Sequence, residues 1–153
     1  MIFKLKLLEC CKCCYYYDLP MYLYYRNPLS VTNRYKPDIK ETSFLFFEEL
    51  KPIVQKYPEL SLQYNRSVVN NFFLEMNHFL FHKNNSLSLK EKRRYFCNLL
   101  EQKMYQDAFS VRDKYWKREP MVKRILYLTL TAQRYELVYL LYLAIFVVKK
   151  MIR

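Results

Sequence analysis

The chain contains no glycine. Glycine supplies positive φ at tight turns and lets the backbone approach a phosphate closely. A Gly-rich phosphate loop is therefore excluded, and a nucleotide-binding α/β domain has nothing to build its turns from. Helices joined by Asn-, Ser- and Pro-containing loops need no glycine. The expected fold class is mainly α: an irregular multi-helix domain preceded by a short pair of β segments. At 153 residues the chain is long enough for one modest core.

Hydrophobic periodicity places the helices. Residues 1–12 carry Ile2, Phe3, Leu5, Leu7 and Leu8, as at the end of a helix. Residues 13–17 and 21–25 are Tyr-rich β-type runs split by Asp18, Leu19 and Pro20, and 26–37 is a loop punctuated by Pro28 and Pro37. Asp38 is the expected N-cap of a helix over 38–57, with Phe44, Phe47, Leu50 and Val54 as its stripe and Pro52 as a kink or break. A second helix is expected over 61–83. Its apolar face includes Val69, Phe72, Met76 and Leu80, and its polar face holds Asn71, Glu75, His78 and His82. Ser88 and Glu91 form a capping box for a helix that buries Phe96, Leu100, Met104, Ala108, Val111 and Tyr115. Pro120 opens a further helix at its first turn.

The net charge is +12, and it is uneven. Residues 1–60 carry 9 basic and 7 acidic side chains, whereas 61–153 carry 17 and 7. A basic C-terminal half beside an apolar terminus points to an anionic partner. The expected partner is the inner membrane surface. The basic-aromatic runs at 93–96 and 114–118 match no nucleic-acid-binding motif, so nucleic acid is the disfavoured partner. Four cysteines, Cys10, Cys11, Cys13 and Cys14, are packed together, and no secretory leader is recognisable. The expected location is cytoplasmic, peripheral to the inner face of the cell membrane, with the cysteines as small buried hydrophobes.

His78, His82 and Glu75 share spacing with metal-binding helices, but Phe79 stands where a metalloprotease helix needs Glu. The expectation is a solvated face. No metal or other cofactor is expected in this chain. No Asp-x-Asp pair, Ser elbow or Cys/His motif appears either, so no catalytic residue is assigned.

Residues 137–148 are 12 apolar residues in a row, closed by Lys149, Lys150 and Arg153. As a helix they rise about 18 Å, well short of a ~30 Å hydrocarbon core. Two readings stay open: a buried core helix, or one lying in the membrane interface. For the second, the expected contacts are Trp116, Tyr135 and Tyr139 at headgroup level, Leu140, Leu141, Ile145 and Val148 in the apolar layer, and Lys149 and Lys150 on anionic lipid.

The run Leu19-Pro20-Met21-Tyr22-Leu23-Tyr24-Tyr25-Arg26-Asn27-Pro28-Leu29-Ser30-Val31-Thr32-Asn33 resembles a segment of bacterial family 2 glycosyltransferases. In that family a Tyr-rich strand runs into an Asn-Pro loop just after the catalytic domain's last acidic motif and its helix, and a helical tail with an apolar, basic C-terminus follows. The resemblance implies two regions: 1–37, the end of a catalytic-domain-like part, and 38–153, a helical C-terminal domain. It implies a parent enzyme that transfers sugar from a nucleotide-sugar donor to a glycan acceptor in surface polysaccharide biosynthesis. The family's catalytic residues and its divalent metal match nothing in this chain. The chain is thus expected to be a fragment or a relic of the tail, inactive alone. The resemblance also implies Arg26, Ser30 and Thr32 as contacts to the donor phosphates. Their local alternative is turn-forming hydrogen bonds.

Overall fold

The computed structural model describes residues 34–151 together with Cys10, Cys11 and Cys13, with side chains described as far as Val148. Over this range the protein is mainly helical. Of the β segments expected at 13–25 only Cys13 is described, and it is in no strand; the rest lie outside the described residues, as do Arg26, Ser30 and Thr32.

Among the described residues six helices follow one another: α1 (Ile39–Lys56), α2 (Ser61–Glu75), α3 (Leu89–Leu100), α4 (Lys103–Ser110), α5 (Met121–Thr131) and α6 (Tyr135–Met151). Short 3-10 turns at Pro58–Leu60 and Lys114–Arg118 join some of them. α2 runs on into a π turn at Met76–Leu80, closed by the Phe81 N–H donating to the Met76 carbonyl at 2.8 Å.

The chain starts and stops its helices without glycine. Asp38 precedes α1 as expected, but its side chain makes no capping bond. Instead the Thr42 hydroxyl donates back to the Asp38 carbonyl at 2.9 Å. The Ser88–Glu91 capping box is present in both directions. Asn85 shapes the loop before it, accepting from the Leu87 N–H and donating to the Phe79 carbonyl. The turn from α5 to α6 needs a left-handed residue, and Gln133 supplies it at φ 56°. The Arg134 N–H reaches the Thr129 carbonyl at 3.0 Å, and the Gln133 N–H reaches Leu130 at 2.9 Å. That is the paired bonding of a Schellman end, where glycine is the usual occupant.

Three expectations need correction. Of the kink or break expected at Pro52, the break does not occur: α1 passes through it without ending. Pro52 sits on the exposed side, and its missing N–H removes one bond from an otherwise continuous ladder. Phe44 belongs to no buried stripe; Ile39, Ser43, Phe47 and Leu50 form it. The helix after Ser88 is two helices, because Gln102 turns extended (ψ 124°) between α3 and α4. That break re-phases the stripe: Tyr105 and Phe109 are buried, whereas Val111 is only partly covered and Tyr115 is exposed.

The core is aromatic, which accounts for much of the Tyr and Phe content. Phe72 stands at its middle, edge-on to Phe96, Tyr105 and Phe109 with centroids 5.2–6.2 Å away. Trp116 stacks on Tyr127 at 4.7 Å and meets Phe73 edge-on. α6 closes the core from outside: Tyr142 stacks on Phe81 at 5.5 Å and Tyr139 packs on Phe96 at 5.3 Å.

Candidate functional site

α5 and α6 form a hairpin with two different sides. The inner side is core: Leu126, Tyr127 and Leu130 from α5 join Val138, Tyr139 and Tyr142 from α6. Residues three and four apart share a helix face, so the opposite face of each helix is turned outward. On α5 that face carries Met121, Ile125 and Leu128; on α6 it carries Leu137, Leu140, Leu141 and Val148. Met121 is 74% exposed, and Leu128 and Leu140 are each 54% exposed. Scattered exposed leucines are ordinary, but a run along both helices of one hairpin is an uncovered apolar surface. Arg124 lies beside Ile125, and Arg134 sits at the hairpin's turn, both exposed. No described helix is long and apolar enough to cross a membrane.

The structure thus divides the residues expected at a membrane. Leu140, Leu141 and Val148 are exposed, and Ile145 and Tyr135 are partly covered. Trp116 and Tyr139 are not at the surface. Trp116 is 2% exposed, because its indole fills the gap between Phe73 and Tyr127, with Lys123 above it at 5.3 Å. Tyr139 is buried against Phe96, and its hydroxyl donates to the Leu89 carbonyl at 3.2 Å. Both leave the set of lipid contacts. The side chains of Lys149 and Lys150 lie outside the described residues. The inner stripe of the terminal helix is core and its outer stripe is bare.

The polar face expected on α2 is also partly internal. Glu75 is 1% exposed. It follows Phe72 by three positions and precedes Phe79 by four, so it shares the apolar face. Tyr95 and Tyr105 both donate to its carboxylate, Tyr105 at 3.0 Å. Tyr105 in turn accepts from the Asn71 amide at 2.9 Å, and the Ser43 hydroxyl donates to the Asn71 carbonyl oxygen at 2.8 Å. Burial pushes the Glu75 carboxyl above its usual range, against the pull of the two phenols. Burial and the neighbouring Glu75 charge push both phenols well up as well. This chain of bonds ties α1, α2, α3 and α4 together, and sequence reasoning missed it by placing Glu75 in solvent.

With Glu75 turned inward, the metal-like triplet does not form. His82 stacks on Tyr35 at 5.4 Å, and its Nδ1 accepts from the Asn84 N–H. Among the described residues, no three His, Cys, Asp or Glu side chains converge on a metal position. Cys10, Cys11 and Cys13 are exposed rather than buried.

A second charged feature fixes the loop before α5. Arg66 grips Asp113 through Nε and Nη2, the latter at 3.0 Å, and lies over the Tyr115 ring at 4.7 Å. The guanidinium holds the Asp113 carboxyl below its usual range. Both groups are spent on structure. The comparisons add no relative: no protein-family model, curated protein or solved structure matches the chain.

Proposed function

We propose that the described helices form the membrane-contacting tail of a family 2-like glycosyltransferase of surface polysaccharide or glycan biosynthesis, and have no transferase activity alone. The observation that carries membrane contact is the bare outer face of the α5–α6 hairpin in a chain of net charge +12. A helix pair lying in the interface would bury those leucines while Arg124 and Arg134 reach headgroups. Each fully buried leucine is worth ~1.5–3 kcal/mol, so half-exposed ones still contribute about 1 kcal/mol apiece.

Flotation with anionic vesicles tests this. Leu128→Asp and Leu140→Asp alter exposed positions, so thermal stability should hold within about 0.5 kcal/mol. Vesicle binding should fall at least tenfold for each. Unchanged binding, or a full chain that never floats, defeats the proposal. Salt-sensitive binding to nucleic acid in place of vesicles defeats it too.

Parentage rests on residues 19–33 and their resemblance to the strand and loop that precede the tail in that family. The helical domain that begins at α1 is what such a tail requires. In this reading 13–25 supplies the β pair, and Arg26, Ser30 and Thr32 face the donor phosphates when the catalytic domain is present. A reading frame directly upstream that encodes a Gly-containing α/β domain with an Asp-x-Asp pair is the expected finding. An unrelated intact gene there would remove the parentage and leave the membrane reading standing. The purified chain should neither transfer nor hydrolyse nucleotide sugars above blank.

A further inference from the structure

A groove of about 540 Å³ runs between α3 and α6. Its α3 wall is a stripe at helical spacing: Lys90, Arg93, Arg94 and Cys97. Its floor is Leu89 with Tyr139 and Leu143 of α6. The aliphatic stems of three cationic side chains thus border an apolar bed. We propose that this groove seats one anionic phospholipid, its phosphate on Lys90 and Arg94 and the first part of an acyl chain along Leu143.

Three observations favour that occupant. The first is chemical: guanidinium and ammonium groups recognise phosphate oxygens, and an apolar floor suits a hydrocarbon chain but not a free ion. The second is where the groove opens. Leu143 packs against the core beside Tyr139, but it also neighbours exposed Leu140 and Val147, so it lies on the flank of α6 between the core and the bare outer face. A chain leaving the groove along Leu143 therefore enters the apolar layer in which that face would lie. The third is that the walls are already fixed. Tyr139 bonds the Leu89 carbonyl at 3.2 Å, Lys92 lies over the Phe146 ring at 4.7 Å, and Glu136 holds Arg93 at 3.0 Å. The capping box occupies the N-terminal end of α3, so recognition falls to Lys90 and Arg94 side chains rather than to backbone N–H groups.

This site rests on the membrane reading above, and the test separates the two. The full chain is titrated with dihexanoyl phosphatidic acid below its micelle concentration, with dihexanoyl phosphatidylcholine and inorganic phosphate as controls. Binding is read by NMR shifts at α3 and by calorimetry. Lys90→Gln/Arg94→Gln should weaken phosphatidic acid at least tenfold. Lys114→Gln/Lys117→Gln removes the same charge from exposed positions elsewhere and should change it less than twofold. Equal losses in the two variants mean diffuse attraction and overturn the groove. Inorganic phosphate binding as tightly as the lipid also overturns it, since the apolar floor would then contribute nothing. Vesicle binding without any soluble-lipid binding sinks the groove and spares the hairpin. Soluble-lipid binding by a chain that never floats upholds the groove and sinks the hairpin reading.

Discussion

Removing the Tyr105 hydroxyl should destabilise the protein in a way that depends on pH. Tyr105→Phe takes one donor from a buried carboxylate and one acceptor from Asn71. A hydrogen bond to a charged group is worth ~1.5–3 kcal/mol, and the orphaned Asn71 amide adds about 1 kcal/mol. The total is roughly 2–4 kcal/mol with Glu75 ionised, the form that rising pH favours. At about 2–4 °C per kcal/mol for a chain of this size, the melt should drop roughly 5–15 °C. Tyr95→Phe removes one bond only and should cost less.

The sign of the pH effect follows from Glu75. Its folded-state carboxyl sits above the usual range because burial disfavours the charge. The stability this contributes is complete below the unfolded value, about 4.3, and is lost as pH rises through the raised folded value. Other carboxylates move the opposite way: Asp113, Glu91 and Glu119 are all held low by their partners. Wild type must therefore be compared with Glu75→Gln, so that their contributions cancel. The stability of wild type relative to Glu75→Gln should fall as pH rises from 4 to 8. Tyr105→Phe should cost more at pH 8 than at pH 4, since the lost bond favours the ionised form. The measurement is urea denaturation followed by circular dichroism at several pH values. A flat difference profile, or a Tyr105→Phe cost under about 0.5 kcal/mol, would refute a buried, phenol-held carboxylate.

Two further substitutions probe the fold directly. Gln133→Gly should raise stability by about 0.5–1 kcal/mol, since the left-handed position strains any residue with a Cβ; a lower melting temperature would mean the Gln133 side chain matters more than its backbone. Trp116→Ala should cost ~3–5 kcal/mol as a core deletion, whereas a Trp serving only at a lipid headgroup would cost under about 0.5 kcal/mol in water.

Helix positions were legible where the signal is local. The Ser88–Glu91 box needs only its own four residues, and it formed. The apolar face of α2 follows from spacing alone. What was hidden depended on partners elsewhere in the chain. No local feature at Glu101 and Gln102 demands a break, yet two residues there decide that Tyr105 and Phe109 face Phe72. Glu75 was legible in one respect: it occupies an apolar-face position between Phe72 and Phe79. Reading its charge as proof of exposure overrode that spacing. Two phenols on two other helices make its burial tolerable, and no single helix reveals them.

The same limit governs α6. Its sequence is apolar on all sides, so periodicity cannot say which side is core. Packing decides: Phe81 and Phe96 claim Tyr142 and Tyr139, and what remains outward is Leu137, Leu140, Leu141 and Val148. A helix needed only for the core would lose nothing by carrying Lys or Glu at those outer positions, and solubility would improve. The outer leucines therefore ask for a second cover. Cutting the chain at Arg134 cannot test this, because it also removes Val138, Tyr139 and Tyr142 from the core. Single charges at Leu128 and Leu140 separate the two roles, since they touch only the face that packing leaves unexplained.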